Sequence, residues 1–234
     1  LPGVRLRYVD HPASLGRPDL LIIPGSKNTL DDMRFLEQSG LAPAILGLHA
    51  GGTPIIGICG GFQMLGRTIR DPLGVESARG RMRGLGLLPL DTFFSSEKRT
   101  VQTSLAVSAD KGILRGMQGM VLTGYEIHMG QSEPARDFHA GGASALWLSP
   151  EGRPEGAVNA DGSVFGAYLH GLFDNLAFTR ALLDNLRPAG KHSAPAATPP
   201  DYADLRRREY DRLADMIESH LDIPRLRRII EEWP

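Results

Sequence analysis

Thr53-Pro54-Ile55-Ile56-Gly57-Ile58-Cys59-Gly60-Gly61-Phe62-Gln63-Met64-Leu65-Gly66 sets an apolar β-type run against the chain's single cysteine. Two glycines and then a helix-compatible segment follow it. Gly57-x-Cys59-x-Gly61 is the thiol form of the strand–turn–helix elbow that holds a nucleophile on a sharp turn. Glycine suits both flanks because a Cβ would clash where strand, turn and helix crowd together. The free N–H groups at the helix start face the sulfur and are expected to favour thiolate. A lone buried cysteine is ordinarily just a small hydrophobe. Here the strand, the paired glycines and the helix start coincide at one residue, and that coincidence marks Cys59 as a nucleophile.

Outward from the elbow, strand-like and helix-like stretches alternate. The pattern predicts strands at Val4–Val9, Asp19–Ile23 and Ile55–Ile58, and helices over about 31–39, 41–50 and 62–69. Runs apolar on both faces predict an α/β fold with a mostly parallel or mixed central sheet flanked by helices. From Gly84 the predicted strands are shorter: Leu85–Leu90, Val101–Val107 and Gly119–Thr123. Tyr125–Gly130, dense in polar and aromatic residues between glycines, reads as a site loop, and 136–144 as a surface loop. A strand over 163–169 runs into His170-Gly171, and a helix follows at 177–186. The expected organisation is a domain over 1–187, a Pro/Ala-rich linker at 188–200 and a C-terminal helical segment at 201–234 that packs on the domain.

The 234 residues, 41% of them hydrophobic, suffice for one substantial core. A net charge of −1 carries no long-range field for nucleic acid or an anionic membrane. No apolar run approaches the ~18 residues needed to cross a bilayer. One cysteine excludes an internal disulfide and a cysteine metal cluster, and suits a reducing cytoplasm. No ligand spacing for a metal is present. Gly25-Ser26-Lys27-Asn28-Thr29 has phosphate-loop residue types without the phosphate-loop spacing, so no ATP site is expected in this chain.

A thiol nucleophile needs a base. Among the seven histidines, His170 ends a predicted strand, at the kind of sheet edge where α/β sites form. His128 is the second candidate, better suited to a substrate or structural contact. The other five lie in helix or loop contexts without a second signal. The backbone N–H of Gly60, and that of Gly25 in the Pro24-Gly25-Ser26 turn, are the expected oxyanion donors. Gln63, one helical turn past Cys59, is placed to hold a substrate amide or carboxylate, or to cap its own helix.

Five stretches resemble the class I (triad-type) glutamine amidotransferases, and specifically their cobyric acid synthase branch. They are Leu20–Thr29, Gly57–Gly66, Gly84–Pro89, Tyr125–Gly130 and Tyr168–Asp174. The resemblance implies a flavodoxin-like amidotransferase fold and glutamine as substrate. It implies attack by Cys59 on the side-chain amide, proton transfer by His170, a γ-glutamyl thioester and release of ammonia. The acceptor it implies is a corrinoid: the b, d, e and g carboxylates of adenosylcobyrinic acid a,c-diamide. That amidation would use ATP and Mg²⁺ in an N-terminal synthetase domain absent from this chain, in the cytoplasm. Many relatives in the wider class carry Glu two residues after the histidine. Here that position is Leu172, as in the cobyric acid synthase branch. A Cys59–His170 dyad is therefore expected, with Glu126 as the candidate third group. The competing readings are the amidotransferase subunit of another amide ligase, such as one acting on lipid II, a cysteine hydrolase of the same architecture, and a non-catalytic docking domain.

Overall fold

Three parallel strands carry the site. β1 (Leu21–Ile23) and β10 (Val164–Ala167) flank β2 (Ile55–Ile58), with Ile22 opposite Ile56 and Phe165 opposite Ile56 on the other side. The computed structural model describes residues 3–187 and 202–232. In chain order β1 leads to α1 (Thr29–Gln38) and α2 (Leu41–Ala50), then β2 and α3 (Gly60–Leu65). Next come β3 (Thr68–Arg70), β4 (Arg81–Arg83), β5 (Leu90–Val107) and β6 (Val121–Pro134). The short strands β7 (Trp147–Leu148), β8 (Pro154–Glu155) and β9 (Ala157–Val158) precede β10, and α4 (Leu176–Leu186) follows it.

The first sheet has the order β1-β2-β10-β9, with β9 antiparallel. Its side chains alternate between two cores, as strand geometry dictates. Ile55 and Val164 join Leu30, Met33, Leu41, Ile45 and Leu65 from the helices on one face. Ile56 and Phe165 join Trp147, Phe178 and Leu182 on the other. Apolar residues on both faces are why these strands read as unbroken hydrophobic runs. A second, mixed sheet has the order β4-β3-β5-β7-β8, and β6 pairs with β5 as a long antiparallel hairpin.

Five sequence expectations change. Val4–Val9 forms no strand, and Arg7 there reaches back to the carbonyls of Ser14 and Leu15. The helix after Cys59 stops at Leu65, because Gly66 is extended (ψ −176°) against the Leu90 carbonyl; Thr68–Arg70 is a strand. Leu85–Pro89 precedes the strand that begins at Leu90. The separate short strands expected at 101–107 and 119–123 are parts of an 18-residue and a 14-residue strand. The Tyr125–Gly130 loop is consequently the middle of β6.

The described residues fall into two compact units, 3–187 and 202–232. The expected linker at 188–200 lies outside the described residues. The C-terminal unit holds α5 (Tyr202–His220) and α6 (Ile223–Glu231). The side chain of Asp222 accepts from the Arg225 N–H at the start of α6, and Pro224 sits in its first turn. No described helix is long and apolar enough to cross a membrane.

Candidate active site

Cys59 sits at the end of β2 with φ 51° and ψ −110°. Among the described residues it is the one non-glycine with positive φ. Such backbone costs on the order of 1–3 kcal/mol and persists only where the surroundings enforce it. The enforcement is visible. The Cys59 N–H donates to the Ala167 carbonyl at 2.8 Å, tying the elbow to β10. A Cβ on Gly60 would stand 2.8 Å from both the backbone N and the Cβ of Ser26. The turn after β1 is therefore packed onto the first turn of α3.

His170 faces the elbow across Gly25. A Cβ built on Gly25 would lie 3.4 Å from His170 Cε1 and 3.6 Å from Cys59 Cβ. Glycine at 25 leaves this space between nucleophile and base open. The ends of three neighbouring parallel strands thus bring together the candidate nucleophile, the candidate base and the facing turn, the usual place for a site in an open α/β sheet.

Burial pushes the Cys59 thiol up to about 11, against the hydrogen bond from the Gly60 N–H, and the nearby Glu76 adds to the rise. This corrects the expectation of a resting thiolate: a six-residue helix does not offset desolvation of the sulfur. The Sγ proton is directed at the Ile127 carbonyl, 3.5 Å away on β6. Burial, with His128 nearby, also holds the His170 imidazole below its usual 6.5. At neutral pH both groups are therefore uncharged. The Nε2 of His170 is buried without a hydrogen-bond partner among the described residues.

Gln63 is only 2% exposed. Its Oε1 accepts from Thr29 Oγ1 at 3.0 Å and its Nε2 donates to the Tyr168 hydroxyl at 3.4 Å. Its carboxamide thus links α1, α3 and the residue following β10. His128 stacks on Tyr168 with centroids 3.7 Å apart, and its Nδ1 lies 2.7 Å from the Gly130 carbonyl. Glu126 is buried and takes the Arg99 Nε at 2.6 Å, with His128 Nε2 3.5 Å from the same oxygen. Glu126 is thereby engaged by Arg99 and His128.

The Gly25–Thr29 turn is occupied by its own side chains. Asn28 Oδ1 accepts from the Asp31 N–H, Ser26 bonds Asp32, and Glu76 accepts from the Thr29 N–H at 2.9 Å. Three carboxylates at this helix start make it unsuited to a phosphate. Two surface cavities, of about 800 and 340 Å³, are lined by neither Cys59 nor His170.

Residues 1–178 match the CobB/CobQ-like glutamine amidotransferase domain family. The chain belongs to this family. It is 46% identical to a cobyric acid synthase of Yersinia enterocolitica over 239 residues, covering 99% of the chain and 45% of that protein. It is 43% identical to one of Dehalococcoides mccartyi over 233 residues, covering 98% and 45%. The chain therefore spans about half the length of these curated relatives. Among solved structures it resembles a glutamine amidotransferase (TM-score 0.57, 16% identity, 79% of this chain and 87% of that one). It also resembles PurLQS from Thermotoga maritima (TM-score 0.53, 19% identity, 74% and 82%). At these identities the likeness is one of fold: the central sheet flanked by helices is that of the glutamine amidotransferases.

For a member of this family, β6 carries more of the site than its sequence suggests. It supplies the Ile127 carbonyl at the sulfur, the Glu126–His128 pair, and Tyr125 against His170. Backbone carbonyls leave no trace in residue type, and Arg99 lies outside the stretches that carry the resemblance. Burial raises the Glu126 carboxyl, but His128 and Arg99 outweigh it and hold the group below its ordinary 4.5. A carboxyl lowered by folding adds stability above its unfolded pKa, and that stability is lost as pH falls through the folded value. Glu126→Gln is expected to cost about 1–3 kcal/mol at pH 7, by leaving Arg99 and His128 without their anion. It should cost much less at a pH below the lowered folded value. Urea midpoints of both proteins at the two pH values check this.

Proposed function

We propose that this chain hydrolyses the side-chain amide of glutamine and delivers the ammonia to a synthetase domain. The observation that carries this is a buried cysteine on a strained elbow facing a neutral histidine across a glycine. His170 takes the Cys59 proton as the sulfur attacks the amide carbon. The C–N bond breaks, the proton passes to the departing ammonia, and a γ-glutamyl thioester forms. The N–H groups of Gly60 and Gly25 are the proposed donors to the oxyanion. Water activated by His170 then releases glutamate and returns the thiol.

The relatives named cobyric acid synthase, about twice as long, support the acceptor: the b, d, e and g carboxylates of adenosylcobyrinic acid a,c-diamide. Their activation by ATP and Mg²⁺ belongs to the N-terminal synthetase domain of the longer protein. The setting proposed is the cytoplasm. The deciding experiment incubates the chain with a γ-diazoketone analogue of glutamine and maps the adduct by mass. Alkylation at Cys59, blocked by glutamine, is the expected result. A chain that takes no adduct and releases no glutamate from glutamine is not a glutaminase.

A further inference from the structure

His170 poses a positioning problem. The imidazole χ2 torsion is soft, and a base that rotates freely loses its aim at the thiol. No carboxylate at either position weighed for a third group fixes it. Leu172 stands where the wider class has Glu, and Glu126 is engaged by Arg99 and His128. The ring's buried Nε2 has no partner among the described residues.

What meets the ring is Tyr125. The His170 N–H donates to the Tyr125 carbonyl at 2.8 Å, and the Tyr125 N–H donates back at 3.2 Å. The two residues form a single antiparallel bridge between β6 and the turn after β10. Residues directly opposed in such a bridge point to the same side, and here their rings stack with centroids 5.0 Å apart and planes within 6°. The surroundings hold the bridge in place. A Cβ on Gly124 would come within 2.2 Å of the His170 carbonyl oxygen, so only glycine permits the approach. Asn175 then extends the pairing with its side chain, accepting from the Thr123 N–H at 2.9 Å and donating to the Thr123 carbonyl at 3.0 Å. Tyr125 remains 46% exposed, so half-burial of its own ring does not explain its place.

We infer that Tyr125 is a positioning residue for His170, its ring fixing the plane in which the imidazole addresses Cys59. The inference rests on the glutaminase reading of the site. A parallel aromatic face removes the soft torsion that a carboxylate would fix by a hydrogen bond. It also attracts the imidazolium formed once His170 has taken the thiol proton.

The test compares Tyr125→Leu and Tyr125→Phe in the full chain, with Tyr125→Thr as the ringless, strand-favouring substitute where Leu does not fold. Tyr125→Phe keeps the ring and should hold kcat within about threefold of the parent, whereas loss of the ring should lower kcat on the order of 10–100-fold with KM nearly unchanged. The His170 Hε1 resonance, shifted by the stacked ring, should move in the ringless variants and stay in Phe. Full kcat without the ring, or equal loss in Phe and Leu, overturns the positioning role. If the parent neither turns over glutamine nor takes the diazoketone, the glutaminase reading fails first and the inference with it.

Discussion

Replacing Cys59 by Ala is expected to abolish the proposed glutamine hydrolysis, a loss on the order of 10⁴-fold or more, because the covalent route has no substitute nucleophile. His170→Ala is expected to fall nearly as far, and the double variant no further, since the two residues act as one unit. The pH profile should carry the electrostatics of the pair. Burial holds His170 below 6.5, so the acid limb of kcat/KM lies below that value. The thiol, at about 11, leaves no thiolate limb at neutral pH. In the proposed mechanism, proton transfer from Cys59 to His170 therefore belongs to the reaction and not to the resting state. Stability moves the other way. Ala keeps the backbone at φ 51° and inherits its strain, whereas Cys59→Gly removes it. The Gly variant should be as inactive as Ala and more stable by about 1 kcal/mol. Glutamate release and urea unfolding of the three variants check both halves. An Ala variant that still turned over glutamine would place the chemistry elsewhere.

Cys59, Gly25, Gly60 and His170 were legible in the sequence because an elbow is built from residue types that little else requires together. Apolar runs ending in a nucleophile or a histidine mark strand ends, and strand ends in a parallel sheet converge. The hairpin was not legible for the opposite reason. β5 has a long exposed middle, with residues 96–98 and 100–102 all open to solvent, so its apolar periodicity fades where the strand continues. Its register with β6 also shifts between Phe94 and Arg99. The sequence therefore broke one strand into pieces and read Tyr125–Gly130 as a loop. That error hid the bridge to His170, which depends on Tyr125 being extended. Gln63 shows a further limit of sequence reading. Its spacing from Cys59 suits a substrate contact, and spacing alone could not show that its amide also bonds Thr29 and Tyr168.

The elbow's dependence on glycine predicts the largest structural effect. A Cβ on Gly61 would stand 2.0 Å from the Ile23 carbonyl oxygen, 2.6 Å from its carbon and 2.8 Å from the Pro24 oxygen. All three atoms are backbone, so no side chain can swing aside to admit the methyl group. Relief requires pushing α3 away from β1, which would part Gly60 from Ser26 and pull the Cys59 turn off the sheet. Overpacking that rotamers absorb costs about 1–3 kcal/mol, and a clash with backbone exceeds that. Gly61→Ala should therefore cost more than about 3 kcal/mol, a large share of a domain's typical 5–15 kcal/mol. Gly47→Ala is the control. It lies inside α2 with nothing within 4 Å of its added Cβ, and should stabilise by about 0.5–1 kcal/mol through helix propensity. Urea midpoints of the two variants, read beside the parent, separate the causes. Matching losses would implicate glycine flexibility in general. A loss confined to Gly61 fixes the contact between β1 and α3 as what holds the nucleophile in its strained turn.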